Sequence, residues 1–190
     1  MRVGVHKVLM SNPGDVSGLD RLIDSGAVDP HEIVALIGKT EGNGGANDFT
    51  RAFATLSFSL ALARRMNISA DEVAKRIAFV WSGGTEGVLS PHATVFTRGN
   101  GEPAGAKRLA IGIALTRDFA PEEVGTMAQV REVAVAVKKA QTQAGITDAK
   151  DVHYVQVKGP LLTPAAVADA DKRAFTMGSQ ADTHRAAVWG

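Results

Sequence analysis

The sequence predicts an α/β (α+β) chain made of repeated units, and three observations carry that prediction. The first is a segment that occurs twice. Asp29-Pro-His-Glu-Ile-Val-Ala-Leu-Ile-Gly-Lys39 and Asp148-Ala-Lys-Asp-Val-His-Tyr-Val-Gln-Val-Lys158 align without a gap, at an offset of 119 residues. Each has an Asp, an acidic residue three later, a branched apolar residue, an apolar run and a closing Lys. Gly26 and Gly145 stand three residues before the two Asp. A period this long exceeds that of a solenoid and fits duplicated domains. The second observation is the alternation of short strand-like runs with helical periodicity. The third is that the same succession starts again after a polar, Gly-rich stretch.

Taken in order, residues 2–10 alternate Val3 and Val5, then Val8 and Met10, as a half-buried strand does. Ser11-Asn-Pro-Gly-Asp15 is turn chemistry. Residues 17–25 place Leu19, Leu22 and Ile23 at helical spacing, with Gly26 as the C-cap. Residues 33–37 form a short apolar strand ending at Gly38-Lys39, and residues 40–47 are too rich in Gly and Asn for a regular element. Residues 49–66 read as a helix with Phe53, Leu56, Leu60 and Ala63 on one face, and the Leu56/Leu60/Ala63 stripe reads as core. Ser69 with Glu72 three later is a capping box opening a helix to Arg76. Residues 77–81 are a strand running into Ser82-Gly83-Gly84, and 95–97 another.

The second unit repeats this grammar. Residues 109–115 read as a strand, 121–127 as a short helix, 130–144 as a longer helix stopped by Gly145, 152–157 as the repeated strand and 164–173 as a helix. Residues 174–190 have weak periodicity. The domain division expected is 1–98, a linker at 99–107, and 108–190. The second copy is incomplete. Ser82 lies 43 residues beyond Lys39, whereas 32 residues follow Lys158, and no Ser-Gly-Gly occurs among them.

Composition narrows the function classes. A net charge of +1 over 190 residues gives no electrostatic footprint for nucleic acid or a membrane surface. No apolar run approaches the roughly 20 residues that span a bilayer. The first residues lack a signal peptide's apolar core, so cytoplasm is the default expectation. Cysteine is absent, which excludes disulfides and thiolate chemistry within the chain.

Lys39, Arg51 and Ser82 form the sharpest constellation. A Lys at a strand end beside a Gly-rich loop can be partly desolvated, and desolvation lowers a lysine's pKa. Such a Lys can act as base for a Ser hydroxyl. Ser82 follows a strand and precedes two glycines, which exposes its hydroxyl and lets the N–H groups of Gly83 and Gly84 approach a substrate oxygen. Arg51 could hold a planar, partly anionic ligand through its fork of donors. The same residues also fit an ordinary turn serine, a solvated lysine and a helix-surface arginine. Gly38-Lys39-Thr40 lacks the glycine spacing of a phosphate loop. The 42–45 loop could bind an anion or simply turn the chain. His31, His92, His153 and His184 make no metal-ligand spacing. Glu41 and Glu86, each in a Thr-Glu-Gly, either orient a Lys or stabilise their own loops.

Longer motifs then resemble a known family. They are Gly38-Lys-Thr-Glu-Gly-Asn-Gly44, Asn47-Asp-Phe-Thr-Arg51 and Ser82-Gly-Gly-Thr-Glu-Gly-Val-Leu-Ser-Pro-His92. Thr116-Arg-Asp-Phe119 with Pro121-Glu-Glu123, and Val155-Gln-Val-Lys158 followed by Pro160-Leu-Leu-Thr163, complete the set. In this order they are similar to the ring-opening amidohydrolases, the cyanuric acid hydrolases and barbiturases, from the N-terminus to about Pro164. The resemblance implies three repeating units around a pseudo-threefold axis, each a mixed sheet backed by helices. Each unit would give one Lys, one Arg and one Ser-Gly pair to a central pocket for a flat heterocycle. It implies Lys39 as the first unit's dyad lysine and Arg51, Ser82 and Gly83 as substrate contacts. It implies Lys158 as the second unit's catalytic base and Arg185 as a weakly aligned second clamp. The family places its catalytic pair in the second unit and a metal ion in the third.

This chain departs from the family pattern in several places. The third unit, with its Lys, Arg, Ser-Gly pair and metal site, has no counterpart here, so no cofactor is expected in this chain. The second unit's nucleophilic serine is absent, and Gly45 and Gly159 stand where many members have Cys. The expectation is therefore a subunit of a split or multi-chain ring-opening amidohydrolase with a small heterocyclic substrate. A second chain, or further copies of this one, would complete it. A non-catalytic heterocycle-binding or scaffold relative, and a truncated product, are the alternatives. Triazine and pyrimidine rings stay equally open.

Overall fold

The computed structural model describes residues 1–45, 47–84, 89–102, 109–160 and 162–177, with side chains through Arg173. The chain divides into two compact units, Met1–Ile111 and Gly112–Gly190.

The first unit runs β1 (Arg2–Leu9), α1 (Ser17–Asp24), β2 (Ile33–Lys39), α2 (Phe49–Met66), α3 (Ala70–Arg76), β3 (Ala78–Ser82) and β4 (His92–Gly99). Its mixed sheet has the order β1-β4-β2-β3. β4 pairs antiparallel with β1 and with β2, and β3 lies parallel to β2. Parallel neighbours need a crossover, and α2 with α3 supplies it. Asp48 caps α2, its side chain accepting from Thr50 N–H, and Asn67 ends the helix at φ 54°. Both partners of the Ser69/Glu72 capping box are in place at α3, as the sequence predicted.

The helices pack on one face of the sheet. Val8, Leu36, Phe79, Trp81, Ala93 and Val95 meet Leu19, Phe58, Leu62 and Val73 there, all buried. Phe58 and Trp81 stack at 5.1 Å with their planes tilted by 53°. Removing a buried aromatic from such a core costs about 3–5 kcal/mol.

α2 corrects one expectation. Of the expected Leu56/Leu60/Ala63 stripe, only Ala63 packs against the core; Leu56 and Leu60 are 53% and 48% exposed, Phe53 is as exposed as Leu56, and Phe49 is more so. The buried positions are Ala54, Phe58, Ser59, Ala61, Leu62 and Met66. The helix carries two apolar stripes, both at helical spacing, and the sheet packs on only one of them. Periodicity alone cannot choose between two such faces.

In the second unit the described residues form α4 (Met127–Gln143), α5 (Pro164–Met177) and two single 3₁₀ turns, Pro121–Glu123 and Ala149–Asp151. Arg117 clasps Glu123 at 2.6 Å and reaches Glu132 at 3.5 Å, and Arg173 pairs with Glu122 at 2.8 Å and with Asp169. The Arg117 hydrogen bonds hold the Glu123 carboxyl down at about 2.

The strands expected at 109–115 and 152–157 do not form among the described residues. The physical reason is visible in the first unit. There β1 bonds only to β4, and β2 is held between β4 and β3. No β3-like or β4-like partner occurs among the described residues of the second unit. Instead, Ile113 N–H donates to the Gln143 side chain at 2.7 Å. The expected linker also differs: Gly99 belongs to β4, and residues 103–108 lie outside the described set.

Candidate active site at the ends of two parallel strands

β2 and β3 end side by side. Lys39 is the last residue of β2, Ser82 the last of β3, and the two are register partners. Paired residues of adjacent strands project to the same face. The sheet therefore aims both side chains to one side without any loop having to place them. Lys39 Nζ lies 2.8 Å from Ser82 Oγ. As an ammonium it donates to that oxygen. As a neutral amine, at the same separation, it can accept the hydroxyl proton. Lys39 is half-buried and Ser82 exposed.

The pair stands on the sheet face opposite the helices. By register, Ile37, Val80, Thr94, Phe96 and Val5 share that face with Lys39 and Ser82. His92 is the antiparallel partner of Lys39 on β4, and its Nδ1 contacts Ser90 O at 2.8 Å. The result is an apolar floor bordered at one end by an amine, a hydroxyl and an imidazole.

Beyond the strand ends, two Gly-rich turns are tied to each other. Thr40 N–H donates to Ser82 O at 2.9 Å, and Gly84 N–H to Gly42 O at 2.5 Å. The second bond corrects the expectation that Gly84 offers its N–H to a substrate oxygen, since that donor is already used. Gly83 remains as the candidate of the pair.

Asp48 sits behind these turns with its side chain 0% exposed. One oxygen, Oδ1, accepts from Thr50 N–H at 2.9 Å and from the Thr50 hydroxyl. The other, Oδ2, accepts from Gly44 N–H at 3.0 Å and faces Arg51 Nε at 3.4 Å. Burial works to raise its pKa. The hydrogen bonds from Thr50 and Gly44, with the Arg51 charge, outweigh that and hold the carboxyl below the usual carboxylate range. The 42–45 loop is thus not an open anion nest. Gly44 N–H is satisfied by Asp48 and Gly45 N–H by Asn43 Oδ1 at 2.8 Å.

Arg51 bends toward the same loop, donating from Nη2 to Gly45 O at 2.5 Å, with its side chain 32% exposed. The structure therefore gathers Lys39, Ser82, Gly83 and Arg51 around one strand-end cluster. Lys158 belongs to the second unit, where it is exposed. Arg185 and Glu86 lie outside the described residues. Asp48 has no assigned role at the level of sequence, although it stands in the Asn47-Asp-Phe-Thr-Arg51 motif. A helix N-cap directly after a Gly-rich loop was the signal available. Among the described residues no group of three or more His, Asp or Glu is arranged to hold a metal ion.

The family model described as amidohydrolase ring-opening protein matches residues 4–189. The chain is a member of that family. It is 68% identical over 175 residues to a cyclic amide hydrolase of Azorhizobium caulinodans, covering 91% of this chain and 48% of that one. It is 56% identical over 198 residues to a cyanuric acid amidohydrolase of Bradyrhizobium diazoefficiens, covering 99% and 54%. A solved cyanuric acid hydrolase, described as an evolutionary innovation by structural concatenation, superposes with a TM-score of 0.84 at 52% identity. That match covers 91% of this chain and 48% of the other. A second, the cyanuric acid hydrolase of A. caulinodans, gives 0.82 at 50% identity, covering 90% and 47%. The chain thus spans about half the length of the relatives it matches.

Proposed function

We propose that this chain is part of a ring-opening hydrolase that cleaves a cyclic amide C–N bond of a flat heterocycle such as cyanuric acid, with Ser82 and Lys39 as its reacting pair. The observation that carries the reading is the 2.8 Å separation of Lys39 Nζ and Ser82 Oγ at register-paired strand ends. Ser82 Oγ attacks a ring carbonyl carbon while its proton passes to neutral Lys39 Nζ. The tetrahedral oxygen is met by Gly83 N–H. Collapse breaks the ring C–N bond, and Lys39 returns the proton to the departing nitrogen. Water then attacks the acyl carbonyl, giving a proton to Lys39; the C–Oγ bond breaks, Lys39 returns that proton to Ser82 Oγ, and a carboxyl product leaves. The apolar floor of Ile37, Val80 and Phe96 suits the face of a planar ring. Arg51 acts as the clamp for the ring's polar edge once it leaves Gly45 O.

A second reading rests on the half-length match to the relatives. In it Lys158 is the base for a serine supplied by another chain, and Arg185 is a second clamp. Ser82 and Gly83 then serve as carbonyl contacts. Further copies of this chain, or a second chain carrying the remaining repeat, would complete the pocket in either case.

Ring opening of cyanuric acid and of barbituric acid, followed by loss of ring absorbance with mass measured by light scattering, separates the readings. Turnover that vanishes in Ser82→Ala and survives in Lys158→Ala supports the first. Turnover only with a co-encoded chain, abolished by Lys158→Ala, supports the second. Absence of turnover and of ring binding under every condition overturns both.

A further inference from the structure

Asp48 has two jobs that its two oxygens divide between them. Oδ1 caps α2 through Thr50 N–H. Oδ2 reaches out of the helix to Gly44 N–H and Arg51 Nε. The carboxylate also fills the space at two glycines. A β-carbon at Gly42 would overlap Asp48 Oδ1, and one at Gly83 would overlap Asp48 Oδ2. Gly42 lies on the turn after Lys39 and Gly83 on the turn after Ser82, so one carboxylate is packed against both turns. The turns are then laced by Gly84 N–H on Gly42 O. A negative charge with no exposed surface is stable here only because backbone amides, a hydroxyl and a guanidinium face it.

We propose that Asp48 is a positioning residue for the Lys39–Ser82 pair, an internal anion that clamps the Lys39 turn to the Ser82–Gly83 turn and parks Arg51 on Gly45. The role rests on the proposed use of that pair and acts through it, since Asp48 touches neither Lys39 Nζ nor Ser82 Oγ. The Gly44 and Gly45 amides are answered from within the protein, so this part of the loop is held before any substrate arrives. Arg51, tied to the same oxygen, is held ready beside them.

Asp48→Asn separates the two jobs. Asn is as good an N-cap as Asp, so the carbonyl oxygen keeps Thr50 N–H. Its NH₂ group then meets Gly44 N–H and Arg51 Nε, donor against donor. The experiment records amide exchange by NMR on the full chain, together with the ¹³Cε chemical shift of Lys39 at one fixed pH and the melting temperature. Wild type, Asp48→Asn and Ser82→Ala are compared. The expected result is a melting temperature within a few degrees of wild type and Gly44 N–H exchange faster by about tenfold or more. The Lys39 ¹³Cε chemical shift should move to that of Ser82→Ala. Should Asp48→Asn fail to fold, Asp48→Ser keeps a capping oxygen for Thr50 N–H and removes the group that meets Gly44 N–H and Arg51 Nε, and the same changes are expected.

Unchanged Gly44 exchange or an unchanged Lys39 ¹³Cε shift in the variants overturns the proposal, leaving a helix cap only. Equal acceleration at Gly44 and at core Leu36 overturns it as well, because that is global loosening. These readouts need no turnover. Failure of the hydrolase reading, seen as absent ring opening in wild type, is therefore distinguishable from failure of the Asp48 clamp.

Discussion

The two copies of the repeated segment share their entry and part company at their strand. Gly26 and Gly145 close the preceding helices at φ 72° and 70°. Asp29 and Asp148 then each accept from the N–H two residues on, at 2.8 and 3.0 Å, and each opens one 3₁₀ turn. From there Ile33–Lys39 becomes a central strand in which Leu36 is fully buried. In the second copy no strand forms, and Tyr154, Val155 and Val157 are 76%, 50% and 54% exposed. Turns and caps are local, so their residues suffice to make them. A strand's backbone donors need partners from elsewhere. The difference matters for function, because it is pairing with β3 that sets Lys39 against Ser82.

The largest effects that sharpen this contrast are on turnover. Ser82→Ala and Lys39→Ala should each lower ring opening roughly a thousandfold or more, and the double variant should be no worse than either, because the pair acts as a unit. Additive losses would contradict a dyad. Stability comes next. Phe58→Ala should cost about 3–5 kcal/mol by urea unfolding of the first unit. Val155→Ala should change little, within about 0.5 kcal/mol, as expected of an exposed site. A large cost at Val155 would mean that the second copy is packed after all.

Acid should distinguish the units by mechanism. Asp48 has its folded pKa depressed, so its contribution is present above the ordinary carboxylate range and is lost as pH falls through the folded value. Hydrogen bonds from the Ser11 and Ser17 backbone and the Ser17 side chain depress Asp15 in the same way. Glu123 follows the same sign, with its loss falling between about 4 and about 2, but its partner is the Arg117 charge at the surface. Molar salt should therefore weaken the Arg117–Glu123 contact, read by the Arg117 Nη resonances that face Glu123, and leave the buried Asp48 resonances in place. Equal salt response at both sites would break the distinction. The smallest effect is at the caps. Ser69→Ala should cost about 1 kcal/mol in thermal unfolding.

The sequence was most informative where structure is local. The capping box at Ser69, the limits of α2, the turn at Gly26 and the strand-end placement of Lys39 and Ser82 all follow from short-range patterns. The Lys39–Ser82 neighbourhood also followed from the family motifs, which carry long-range information that spacing does not. Three features were not legible. Which stripe of α2 is buried depends on where the sheet lies, and Phe53, Leu56 and Leu60 fit the pattern as well as Phe58 and Leu62. Whether 109–115 and 152–157 pair depends on partner strands rather than on their own residues. Asp48 reads locally as a cap, and its hold on Gly44 becomes visible only once the two glycine turns are brought together.

The contrast between the copies is tested most directly by residue-resolved hydrogen exchange over 33–39 and 152–158 in one sample of the chain. Slow exchange is expected at Leu36, Ile37 and Gly38, protected by about a hundredfold or more over the 152–158 amides, which exchange as open chain. Comparable protection of the two segments would show that the second copy forms a paired strand, and would contradict the claim that only the first copy is folded into a site.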